Sequence, residues 1–174
     1  RLLNNADADC NVTFGNYTLD GVADVALASC TAVGHNALSG VLTSDASGSV
    51  AVGRNALNSL TSGQRSTAVG YYALANCDDG DNNTAIGWEA LEANAGDNNT
   101  AVGTQALKYC TGGHNTALGA KALDELTSGN YNTAVGYESL HQMDSGEENN
   151  TGVGYQSGSN LDGGANNTFV GAST

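Results

Sequence analysis

The nonapeptide Asn83–Leu91, NTAIGWEAL, returns as NTAVGTQAL at Asn99–Leu107, NTALGAKAL at Asn115–Leu123 and NTAVGYESL at Asn132–Leu140. A chain that repeats itself at so short an interval folds as stacked copies of one unit, because no single copy is large enough to bury a core alone. With the repeat glycine as marker there are ten copies, at Gly15, Gly34, Gly53, Gly70, Gly87, Gly103, Gly119, Gly136, Gly154 and Gly171. Successive markers are 19, 19, 17, 17, 16, 16, 17, 18 and 17 residues apart. Helical and propeller repeats need longer units, and no L-x-x-L-x-L frame marks a leucine-rich repeat. The spacing predicts an all-β fold, a parallel β-solenoid or β-roll of about ten 16–19-residue coils. It forms one repeat domain over 1–174, with an amino-terminal segment at 1–10 ahead of the coils at 11–174.

Down the columns, the residue before the glycine is Val, Ile, Leu or Phe, and two places earlier stands Thr or Val. Alternation with period 2 puts these two columns on one face of a short strand, which the β-branched content assigns to the inside. The intervening alanines, Ala68, Ala85, Ala101, Ala117 and Ala134, then face outward. An outward column that is never polar predicts packing against a neighbouring chain. After the glycine, a pair such as Ala90-Leu91 sends its leucine inward, and the i, i+3 apolar spacing fits either a helical turn or a bent strand. Gly, Asp, Asn and Ser mark the return to the next strand. Asn83, Asn99, Asn115, Asn132, Asn150 and Asn167 precede their strands in one column and are expected to stack about 4.8 Å apart as an asparagine ladder. The earlier copies carry Asn11, Cys30, Ser49 and Ser66 there.

Composition narrows the function. The net charge of −13, from 18 acidic and 5 basic residues, argues against nucleic acid, which needs clustered cations, and against anionic membrane surfaces. No apolar run is long enough to insert in a membrane. Four cysteines lack any C-x-x-C pairing or histidine at metal spacing. Stacking brings Cys10 and Cys30 within reach of a disulfide, and Cys77 and Cys110 are the remaining pair, two coils apart. Six N-x-T sequons, at Asn11, Asn16, Asn82, Asn98, Asn149 and Asn166, are glycosylation candidates. With the even cysteine count they favour an extracellular or cell-surface setting.

No catalytic constellation is found. His35, His114 and His141 stand without a nucleophile and base beside them, so the chain is read as no enzyme. No cofactor is expected; the carboxylates of Asp78, Asp79 and Asp81 and the Asp162-Gly163-Gly164 turn suit Ca²⁺ chemically but match no calcium loop. Threonine columns suit ice binding, yet with threonine placed inside that use is set aside.

The motif N-(S/T)-x-A-(V/I)-G resembles the β-roll repeat of trimeric autotransporter adhesin heads, the YadA-like family, and the NTAIG-x-x-AL arrays of fibre-like proteins of phages and bacteria. The resemblance runs from about Asn11 to Thr174. It implies a narrow left-handed parallel solenoid, often three chains side by side, acting as an adhesin or fibre shaft; the period here is longer than the family's.

Two functions follow. A start at Arg1, with no Met or leader, is that of a processed or excised chain. Joining the end of one copy to the start of another would separate Gly171 from Gly15 by 18 residues, inside the internal range. Subunits are accordingly expected to stack head to tail into a filament, with Arg1, Leu2, Leu3, Phe169 and Thr174 at the junction, the protein being its own partner. The alternative is an adhesin binding a glycan or matrix ligand, with Tyr71, Trp88, Tyr137 and Tyr155 as a candidate stripe.

Overall fold

A computed structural model describes residues 11–21, 27–43 and 46–174. The described residues are all-β, with no helix. Ten three-residue strands lie at β1 (Val12–Phe14), β2 (Thr31–Val33), β3 (Val50–Val52), β4 (Thr67–Val69), β5 (Thr84–Ile86), β6 (Thr100–Val102), β7 (Thr116–Leu118), β8 (Thr133–Val135), β9 (Thr151–Val153) and β10 (Thr168–Val170). They form one parallel sheet in sequence order, with Thr84 opposite Thr100, Ala85 opposite Ala101 and Ile86 opposite Val102, and so on along the stack. The chain is a β-solenoid of about nine turns, and its coil lengths are the marker spacings read from the sequence.

Three kinds of residue set the coil. The marker glycine turns the corner at φ 141° in Gly87, and a Cβ there would sit 2.4 Å from the carbonyl oxygen of Gly103 in the next coil. Glycine is therefore required twice over, by conformation and by the contact of backbone on backbone. Two residues on, Glu89 is left-handed at φ 52°, and Leu91 repeats this at φ 51°. Left-handed backbone costs a non-glycine residue about 1–2 kcal/mol, whereas burying a leucine completely returns roughly 1.5–3 kcal/mol. Leu38, Leu57, Leu74, Leu91, Leu107, Leu123 and Leu140 are all fully buried, so burial wins. The i, i+3 apolar spacing thus belongs to a left-handed turn and not to a helix. Its backbone bonds run both between coils, as in Leu91 N–H donating to the Ala106 carbonyl at 3.0 Å, and within the turn, as in Ala106 N–H donating to the Gly103 carbonyl at 3.3 Å.

The faces of the strand are the reverse of the sequence expectation. Ala68, Ala85, Ala101, Ala117 and Ala134 are wholly buried inside their own chain, while the flanking threonines and valines lie half-buried on the outside. The alanines therefore pack no neighbouring chain. The reason is the thickness of the coil: the mid-strand column points directly at the Ala-Leu turn opposite. At Gly152, which takes the alanine's place in β9, a Cβ would stand 2.7 Å from Leu140 Cγ and 2.6 Å from Ser139 Oγ. Ser139 and Ser157, both buried, fill the places of turn alanines there, and glycine makes the room. A core this thin has space for alanine and none for valine, so the β-branched residues go out.

Candidate functional site

The asparagine column is brought together as a continuous bonded ladder. Asn83 Oδ1 accepts the backbone N–H of Asn99 at 2.8 Å, and Asn99, Asn115, Asn132 and Asn150 each do the same for the next asparagine at 2.9 Å. Each Nδ2 donates to a carbonyl in the turn of the following coil, such as Asn83 to Gly96 at 2.8 Å and Asn115 to Gly129 at 2.8 Å. The side chain replaces water for backbone groups that the tight coil would otherwise bury unpaired. In the earlier coils Ser66 Oγ accepts the N–H of Asn83 at 3.1 Å and donates to Gly80 O at 3.3 Å. Asn11 belongs to the same column: its amide accepts from Cys30 N–H and donates to Leu27 O, both at 2.8 Å.

That engagement takes both polar atoms of Asn11, which separates it from the other sequons. Asn16, Asn82, Asn98, Asn149 and Asn166 are exposed, and the last four stand at the same corner of their coils with φ between 57° and 63°, the two coils between Asn98 and Asn149 carrying His114 and Tyr131 there. Cys30, Cys77 and Cys110 are buried free thiols: Cys30 is not bridged to its expected partner Cys10, which lies outside the described residues, and the remaining pair Cys77 and Cys110, two coils apart, is not bridged either. Ala95 stands between the two thiols, its carbonyl 3.6 Å from Cys77 Sγ, and loss of water pushes the thiols of Cys77 and Cys110 up to about 11. Protonated, buried thiols do not exchange. Of the residues expected at the subunit junction, Arg1, Leu2 and Leu3 lie outside the described residues. Phe169 packs half-buried on the core, and Thr174 O accepts from Gly158 N–H at 2.9 Å.

On the turn side, Lys108 bonds Glu89 at 2.7 Å and stands 3.8 Å from Glu92, beside a shallow cleft of about 320 Å³ that Asn76, Ala93 and Tyr109 also line. The carboxylate of Glu89 raises the Lys108 ammonium above its usual value. Partial burial opposes ionisation of Glu89, but bonds from Lys108 and Gln105 outweigh it and hold the carboxyl low. Asp124, in the next coil, is raised by burial against the nearby charges of His141, Lys121 and Lys108, and its Oδ1 has no hydrogen-bond partner. His35 meets Tyr17 edge-on at 5.6 Å and His114 stacks on Tyr131 at 4.9 Å. No group of three or more His, Cys, Asp or Glu side chains gathers at metal-binding distance among the described residues. Of the aromatic stripe, Tyr137 and Tyr155 stack at 5.6 Å, Tyr71 lies under Arg54, and Trp88 is 45% exposed.

The outer face of the sheet is also regular, and the inverted phase of the sequence expectation had placed its residues inside. Each strand from β4 to β9 presents a threonine and, two residues on, Val, Ile or Leu, with no charged residue on the face. The side chains stand on a uniform ladder whose N–H···O bonds, from Thr67 N to Thr151 N, measure 2.7 to 2.9 Å. Comparison with protein-family models, with curated proteins and with solved structures finds no match to this chain.

Proposed function

We propose that this is a non-enzymatic structural protein of an extracellular fibre, growing by the stacking of one copy's coils on another's. The observation that supports it is the sameness of every coil-to-coil contact. Between the coils of Gly87 and Gly103, Thr84 N–H meets Asn99 O at 2.9 Å, Gly103 N–H meets Ile86 O at 2.8 Å and Leu91 N–H meets Ala106 O at 3.0 Å. The same set recurs one coil on, from Thr100 to Asn115 at 2.8 Å, Gly119 to Val102 at 2.8 Å and Leu107 to Ala122 at 3.0 Å. One side of a coil is thus the complement of the other, and a coil from a second copy would meet the same partners. Such heterologous contact does not close and produces filaments. Exposed sequons at one corner favour the extracellular setting. Electron microscopy of the purified chain over a concentration series tests the reading: filaments of one-solenoid width that lengthen with concentration are expected, and short rods of constant length at every concentration would refute it.

A second reading, as a surface adhesin, draws on the exposed ring pair Tyr137–Tyr155 and on Trp88, which are of the type that stacks on sugar rings. Glycan-array binding lost in Trp88→Ala and Tyr137→Ala would favour it.

A further inference from the structure

We propose that the outer sheet face is an ice-binding surface, its ligand being the ordered oxygen lattice of a growing ice crystal. The face repeats along the stack, where the strands recur at about 4.8 Å, close to a repeat distance of hexagonal ice. Across it, the two outward side chains of each strand, a threonine and an aliphatic residue, stand about 6.7 Å apart. From β4 to β9 the register is unbroken, with Thr67, Thr84, Thr100, Thr116, Thr133 and Thr151 directly opposite one another.

The hydroxyls on this face differ from threonine hydroxyls elsewhere in the molecule. Thr43, Thr61, Thr111 and Thr127 each donate to a carbonyl of the next coil, at 3.1, 2.9, 2.7 and 2.6 Å. The six face threonines make no side-chain hydrogen bond among the described residues, and they are half exposed. Beside them runs a parallel row of methyl groups, from Val69 to Val153, in which Ile86, Leu118 and Val153 are 41, 40 and 38% exposed. Thr, Val and Ile are stiff at χ1, which limits movement of every outward side chain from β4 to β9 except Leu118. The result is an uncharged surface with one row of donors and acceptors spaced about 4.8 Å apart and one row of apolar groups beside it.

A second copy of the chain is the competing occupant, and the size and composition of the face disfavour it. Ten strands of three residues present roughly 400 Å², about half of the ~800 Å² each partner contributes to a standard interface. From β2 to β9 the face also has none of the Trp, Tyr or Arg anchors on which interfaces depend. An ice surface is neutral, and its contact area is limited only by the face itself.

Thermal hysteresis and inhibition of ice recrystallisation by the purified chain test the proposal, with circular dichroism to check folding and sedimentation to give association state. Wild type is expected to facet ice crystals. Thr100→Lys with Thr116→Lys should lower the activity at least tenfold, while Ser128→Lys on an exposed loop away from the sheet leaves it unchanged. Thr100→Val with Thr116→Val keeps the shape and removes only the hydroxyls; a loss of severalfold is expected, and this pair decides the matter if the lysine variant does not fold. Round, unfaceted ice with wild type would overturn the proposal, as would full activity in the valine pair. So would wild-type chains associated in solution through this face and separated by Thr100→Lys, since the occupant would then be a second copy.

Discussion

The first coils and the later ones do the same job with different side chains. From Asn83 onward one amide per coil both accepts the next coil's N–H and caps a turn carbonyl, at 2.8 to 3.0 Å. Ahead of it Ser66 makes the equivalent pair at 3.1 and 3.3 Å, Ser49 accepts from Ser66 N–H at 3.3 Å, and Cys30 offers a thiol 3.4 Å from Ala46 O. The shorter side chains reach less well, although the serine coils, at 17 residues, fall inside the 16 to 18 of the asparagine coils from Asn83 onward; the 19-residue coils are those of Asn11 and Cys30. Coil length and polar satisfaction are thus separate properties: the side chain in this column sets how well the buried backbone groups are paired, not how long the coil is.

The strongest way to break this comparison is to attack what both regions share. Gly103→Val places a branched side chain where even a Cβ lies 2.6 Å from the backbone of Gly119, at φ 137°. Loss of the cooperative fold is expected, by more than about 4 kcal/mol, read as absence of a thermal transition. Next is Asn115→Ala, which orphans the N–H of Asn132 and the carbonyl of Gly129. At about 1–3 kcal/mol for each buried unsatisfied group, roughly 2–5 kcal/mol should be lost in urea unfolding. Ser49→Ala should cost less than half of that, and equal costs would refute the distinction between the two regions.

The comparison is sharpened by moving the later chemistry forward. Ser66 stands 14 residues before Gly80, as Asn115 stands 14 before Gly129. Ser66→Asn should therefore supply both bonds at better reach and raise stability by about 1 kcal/mol; a loss of stability would show that this coil cannot accept the amide.

The smallest effect concerns pH, in a later coil whose packing is not ideal. Burial raises the Asp124 carboxyl, so the folded state holds its proton more tightly than the unfolded one. Stability from this group is present below about pH 3.9, the unfolded value, and is lost as pH rises through the raised folded value. Asp124→Asn should melt higher than wild type at pH 7, with the difference vanishing in acid. An unchanged gap between the two across this range would contradict the sign.

Much of the fold could be read in the chain. The marker glycines gave coil number and length, because a residue that must be glycine for both φ and contact cannot drift in position. The asparagine column announced a ladder, although its bonds run from side chain to backbone more than from amide to amide. Hidden in the sequence was the left-handed turn at leucine, since nothing in Ala-Leu signals it.

Sequence alone determined the period, because each coil must bring the same residue types back to the same hydrogen-bonding partners. Tertiary structure decided the phase. A strand with alternating Thr, Ala and Val is equally regular whichever face points inward, and a shift by one residue exchanges the faces completely. What settles it is the width left between the strand and Leu91 across the coil, a distance no column of residues records. That width admits only Ala85, and so turns Thr84 and Ile86 outward, onto the outer face of the sheet.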